Sequence, residues 1–229
     1  MVLMGKKVAP GTGLTPRQEQ LLELAVQEDY IVENFYLSGG TALASWYLHH
    51  RESVDLDFFS DHSFDYDLVR RWFAQNRQAL EIDSVQIDED YGFMSAHIWY
   101  LDRSVLYVDF NNYVAKRIKS SISWRGLAID SFYDIIVNKI DTLATRPRGR
   151  DYVDFYFGSR KKHFPMAKLI ADAETKFHEK IDPVILAKNF LKVTEYKDLP
   201  KMLVPFNELS MQRFYEDLAR SLKPEIFTS

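Results

Sequence analysis

The run Leu37-Ser38-Gly39-Gly40-Thr41-Ala42-Leu43, followed by Asp55-Leu56-Asp57-Phe58-Phe59, constrains this chain more than any other stretch. A glycine pair stands at the mouth of a predicted helix, and two carboxylates follow one residue apart on a predicted strand. Strand side chains alternate between faces, so Asp55 and Asp57 point one way while Leu56 and Phe58 point into a core. Two like charges on one sheet face repel, and a fold keeps them only if something neutralises them. A hard divalent cation, which takes oxygen ligands, is the natural counter-charge. A helix mouth with two glycines offers exposed N–H groups, the positive end of a dipole and close backbone approach, which suit a phosphate. Phosphate cradle and metal-binding carboxylates together point to nucleotide chemistry.

With 229 residues the chain can bury a substantial core, as one large domain or two small ones. No apolar run approaches the ~20 residues of a membrane span. The stretch Met1 to Gly13 carries two lysines with no apolar segment behind them, so no signal peptide is expected. Cysteine is absent, which excludes disulfides, thiolate chemistry and cysteine-bound zinc; a cytoplasmic location fits best. Residues 1–114 carry 8 Lys and Arg against 18 Asp and Glu, whereas residues 115–229 carry 21 against 15. Such asymmetry suits a metal-binding front half joined to an anion-holding back half, and equally a set of lysine-rich surface helices.

Thr15-Pro16-Arg17-Gln18 is a helix start, with Thr15 as N-cap, Pro16 in the first turn and Gln18 closing a capping box. A short strand is predicted over 35–37, a helix from Thr41 to about His49, a strand from Val54 to Phe59, and a helix over 65–78 burying Leu68, Trp72 and Phe73. Residues 80–113 alternate as sheet, with a hairpin around Asp102-Arg103. Beyond Ser131 the pattern turns helical, with a helix to about Thr145, a break at Arg146-Pro147-Arg148-Gly149-Arg150, a helix from about Asp151, and others at 165–178, 183–193 and 207–222. The predicted organisation is α+β: a mixed sheet flanked by helices over residues 1–115, then a helical C-terminal domain over 116–229.

Asp109 lies inside the apolar strand Leu106-Tyr107-Val108-Asp109-Phe110, where a lone charge is costly unless it serves a site or marks a strand edge. If its strand neighbours that of Asp55 and Asp57, three carboxylates could hold two Mg²⁺ ions for in-line displacement on a nucleoside triphosphate. The other reading is an exposed acidic pair and a strand-end charge. Lys139 and Arg146 are seven apart and share a helix face, so both could face a triphosphate. Asp151 and Asp154 could orient those cations, or form surface ion pairs of small energetic weight. His50 beside Arg51 could touch phosphate or cap helix-end carbonyls, and Arg148 and Arg150 have no assigned role. The remaining histidines lack metal-ligand spacing.

Gly-Gly-Thr-Ala-Leu-Ala, then His50-Arg51-x-Ser53-x-Asp55-Leu56-Asp57-Phe58-Phe59, Val108-Asp109-Phe110, and Lys139 through Arg146 to Arg150-Asp151-x-x-Asp154 together resemble the AbiEii/AbiGii toxin family of nucleotidyltransferases. That family lies within the DNA polymerase beta-like nucleotidyltransferase superfamily. The resemblance spans roughly residues 15 to 160; the last 70 or so match only as generic helices. It implies transfer of a nucleoside monophosphate from an NTP to an acceptor hydroxyl, with Mg²⁺ or Mn²⁺ as cofactor. By the same carry-over Asp55, Asp57 and Asp109 bind metal, and Asp109 receives the acceptor proton. Ser38, Gly39, Gly40, Thr41, Lys139 and Arg146 hold the nucleotide, and Asp151 joins Lys139 in the far wall. The resemblance also implies the toxin half of a type IV toxin–antitoxin or abortive-infection system, with a separately encoded antitoxin and an RNA or tRNA acceptor. A non-catalytic nucleotide- or RNA-binding module, and a transferase acting on a protein or small molecule, are the competing readings.

Overall fold

The computed structural model describes residues 13–113 and 115–222; the stretch before Gly13, on which the signal-peptide expectation rests, lies outside them. Helix α1 (Pro16–Ala25) opens on the expected capping box: Thr15 Oγ accepts from Gln18 N–H, and the Gln18 side chain accepts from Thr15 N–H at 2.7 Å. A short α2 (Asp29–Asn34) leads into β1 (Tyr36–Ser38). The next helix begins at Gly39, two residues earlier than predicted: α3 (Gly39–Ala42) runs directly into a π-helical stretch, Leu43–Leu48, ended by left-handed His49. Next come β2 (Asp55–Ser60) and α4 (Tyr66–Asn76), whose buried residues are Val69, Trp72 and Phe73; Leu68 is only half-buried. The helix turns by one residue relative to expectation because Val69, not Leu68, sits three and four positions before Trp72 and Phe73.

Three long strands follow, β3 (Ile82–Asp90), β4 (Phe93–Tyr100) and β5 (Val105–Asn112), the last two joined by the hairpin at Asp102-Arg103. Two more, β6 (Ile122–Trp124) and β7 (Leu127–Ile129), carry no alternation long enough to read from sequence. The strands form one mixed sheet of order β3-β4-β5-β2-β1-β7-β6, so the sheet continues past residue 115. Helices α5 (Phe132–Thr145), α6 (Gly149–Lys161), α7 (Met166–Phe177), α8 (Pro183–Leu191) and α9 (Glu208–Ser221) complete the chain, so the predicted α+β class holds. No helix among the described residues is long and apolar enough to cross a membrane.

One face of β2 and β5 packs the core. Leu56, Phe58, Val108 and Phe110 are fully buried, and Phe58 stacks on Phe110 with ring centroids 5.0 Å apart. Burying each such side chain contributes roughly 1.5–3 kcal/mol, which locks the register of the central strands. A one-residue slip would bury the aspartates instead. The same alternation therefore sends Asp55, Asp57 and Asp109 to the opposite face.

Candidate active site

Strands β2 and β5 run parallel with Asp57 directly across from Asp109 and Asp55 across from Tyr107. The three carboxylates thus lie on one face of two hydrogen-bonded strands. Over the β2 part of that face, α3, α5 and α6 enclose a cavity of about 380 Å³. Gly39, Gly40, Asp55, Asp57, Lys139, Arg146 and Asp151 line it, with Arg51, Arg148 and Arg150. Asp109 stands at its edge, outside the lining, where Oδ1 accepts from Ser95 Oγ at 2.5 Å.

The glycine pair is required by close packing. Gly39 has φ +71°, and a Cβ there would overlap the Asp57 carboxylate; a Cβ on Gly40 would overlap the Arg51 guanidinium. No side chain caps the first turn of α3. The Ser38 hydroxyl instead donates to Asp130 Oδ2 at 2.8 Å, and the Thr41 hydroxyl donates to the Asp55 carbonyl and accepts from Ser53 Oγ at 2.7 Å. Both side chains are buried in these bonds and neither lines the cavity.

Behind the cavity lies a lattice of buried charge. Lys139 Nζ donates to Asp151 Oδ1 at 2.6 Å and approaches Asp154 Oδ2 at 2.8 Å. Arg51 grips Asp154 with two bonds, Nε at 2.6 Å and NH2 at 2.9 Å, and His50 Nε2 lies 2.9 Å from the same carboxylate. Burial alone would raise the Asp154 pKa, but the Arg51 and Lys139 charges and these bonds hold it well below the usual carboxylate range. His50 is thus engaged with Asp154 rather than with helix-end carbonyls. Sequence reasoning left Arg51 without a role; its only signal was the His50-Arg51 pair preceding the acidic strand.

The front row is balanced differently. Asp57 is pushed up to about 6, chiefly by desolvation and then by the charges of Asp109 and Asp55, against weaker opposition from Lys139 and Arg150. Asp109 is also raised, mainly by desolvation, although its bond from Ser95 pulls it down. Arg150 NH1 holds Asp55 Oδ2 at 2.7 Å. As placed, no three acidic or imidazole side chains among the described residues close round a point as a bound ion would need. The Arg150–Asp55 and Ser95–Asp109 bonds hold two of the three carboxylates separately.

The family described as "Nucleotidyl transferase AbiEii toxin, Type IV TA system" matches residues 25–225. The chain belongs to this family of nucleotidyltransferases. No curated protein matches the chain. Among solved structures it is similar to JHP933 from Helicobacter pylori, at 19% identity over 90% of each chain with a TM-score of 0.57. It is also similar to a protein described as a candidate nucleotidyltransferase from H. pylori, at 19% identity over 93% of this chain and 97% of that one, TM-score 0.59. These two share its fold. Family membership reaches well beyond residue 160, so α7, α8 and α9, which read only as generic helices, belong to the family's architecture. Tyr215 on α9 donates to the Tyr152 carbonyl and Tyr152 donates to the Asn189 carbonyl, both buried bonds, which fixes α6 and hence Asp151 and Asp154.

Proposed function

We propose that this AbiEii-family transferase moves a nucleoside monophosphate from an NTP to the hydroxyl of an RNA acceptor, tRNA included, with Mg²⁺ or Mn²⁺ as cofactor. In the cell it acts as a cytoplasmic toxin countered by a separately encoded antitoxin. The observation that carries this reading is the Asp57–Asp109 register beside a cavity walled by Gly39, Gly40 and Lys139. The donor set fits a hard cation: Asp55 and Asp57 offer only carboxylate oxygens, and the desolvation and repulsion that together raise Asp57 are what a divalent charge would offset. Bound there, such a cation supplies charge neutralisation at the triphosphate and the transferring phosphorus.

The chain's own groups account for the rest. Lys139 and Arg146 offset the charge of the β- and γ-phosphates, with Asp151 and Asp154 keeping Lys139 protonated and aimed. Gly39 and Gly40, at the start of α3, line the cavity and offer their backbone to the phosphates; Ser38 and Thr41 serve through backbone, their hydroxyls being bonded elsewhere. Arg150 releases Asp55 when the site fills. The acceptor oxygen attacks the α-phosphorus as the bond to pyrophosphate breaks, and Asp109 takes the hydroxyl proton. In this reading residues 1–115 carry the carboxylates and residues 116–229 contribute Lys139 and Asp151.

The test is transfer of label from each α-labelled NTP to total RNA. Asp57→Asn should lower transfer by about a thousandfold, the several kcal/mol that a bound cation contributes. Chelation should abolish transfer and Mg²⁺ or Mn²⁺ restore it. Equal labelling by wild type and variant would sink the metal site; label found on protein alone would move the acceptor away from RNA.

A further inference from the structure

Displacement at phosphorus sets a direction across this site. The entering oxygen and the departing pyrophosphate lie on opposite sides of the α-phosphorus. The cavity that suits the triphosphate lies over β2, beside α3, α5 and α6, and Asp109 is outside its lining, on β5. An acceptor therefore approaches from the other side, over β5 and β4.

That side is aromatic, with one ring exposed and two half-buried. Tyr107, two residues before Asp109 and directly across from Asp55, is 43% exposed on the carboxylate face. His97 of β4 lies opposite Tyr107, with ring centroids 4.8 Å apart, and Trp99 follows on the same face, 6.3 Å from His97. Tyr107 is exposed and His97 and Trp99 are half-buried beside it, so part of each ring is left for an occupant to cover. Past β4 the face turns acidic, with exposed Asp88 of β3 opposite Ser95, so a polyanion is not drawn further across it.

Resting on the transferase reading above, we infer that Tyr107, His97 and Trp99 form a stacking platform for the last one or two bases of a single-stranded RNA 3′ end, delivering its terminal hydroxyl to Asp109. Base stacking on aromatic faces is tolerant of sequence, so the platform selects an unpaired end rather than a particular base.

The experiment uses the full chain and a 5′-labelled single-stranded RNA oligonucleotide with a free 3′-hydroxyl. Tyr107→Ala should weaken acceptor binding by about tenfold, read as KM for RNA and as fluorescence anisotropy in chelator without NTP, while KM for NTP changes less than about twofold. Tyr107→Trp should restore binding, and a fully duplex end should bind as poorly to wild type as the single-stranded end binds to Tyr107→Ala. Unchanged anisotropy and KM in Tyr107→Ala overturn the platform even if transfer to RNA occurs. If wild type transfers nothing, the transferase reading fails, and anisotropy still decides the platform: Tyr107-dependent binding supports it and Tyr107-independent or absent binding overturns it. Transfer to protein alone, with no RNA binding, also overturns it.

Discussion

Asp57 lines the cavity and Asp154 lies buried behind it, and their carboxylates behave oppositely. Asp154 is enclosed by Arg51, Lys139 and His50 and is held well below the normal carboxylate range against the effect of its burial. Asp57 has two acidic neighbours and no ion pair among the described residues, and burial with their charges raises it to about 6. Burial acts in the same direction on both; the partners decide the outcome. A fully paired carboxylate is framework. An underneutralised row of carboxylates is a place where charge from outside can be bound, and in the proposed function that difference separates a supporting wall from a reactive face.

The comparison breaks most sharply under one substitution made at both positions. Asp154→Asn should cost about 3–5 kcal/mol in urea unfolding, because it leaves Arg51 and Lys139 buried with too little negative charge. Asp57→Asn removes a repelled charge and should unfold no earlier than wild type while transfer collapses. Equal destabilisation by the two would show that both aspartates are framework.

Asp130 offers a pH test of the same logic away from the cavity. Burial pushes it up to about 6, against the Lys176 charge and the bond from Ser38. A carboxyl raised on folding contributes stability that is full below its unfolded value near 3.8 and is lost as pH rises through about 6. Asp130→Asn removes this titration and should flatten the fall in stability between about pH 4 and pH 8. Its single oxygen cannot serve both Ser38 and the Ser131 N–H, so the slope and not the absolute stability is the readout. Chemical denaturation at several pH values measures it.

The smallest stability effect is expected at Arg150→Gln. Its pair with Asp55 is partly solvated, with side chains 34% and 23% exposed, so stability should change by less than about 1 kcal/mol. Its consequence is functional: with Asp55 no longer shared, the Mg²⁺ concentration for half-maximal transfer should fall severalfold. An unchanged Mg²⁺ titration would show that Arg150 does not compete for Asp55.

Much of this molecule is local enough to read without coordinates. Thr15 and Gln18 cap a helix from three residues apart, and Asp55-Leu56-Asp57-Phe58 states its two faces through a period of two. Strands β6 and β7 escaped because three residues cannot display a period, and their only turn signal was Gly126 after Trp124-Arg125. Ser38 and Thr41 were assigned to phosphate through the family resemblance; their hydroxyls found nearer partners in Asp130, Ser53 and the Asp55 carbonyl. Arg150 meets Asp55 across 95 positions of sequence, a contact no local pattern encodes.

By itself the sequence determined which residues share a face, because strand alternation and helical period are properties of the backbone. It likewise determined the family, through the spacing of the glycine pair, the acidic strands and the Lys139–Asp154 segment. Tertiary structure alone decided how the charges are shared. Asp154 became framework and Asp57 became the strained carboxylate because each pKa depends on burial and on charges brought together across the fold. The same pairing of strands left Tyr107 open beside Asp55, where β5 meets β2.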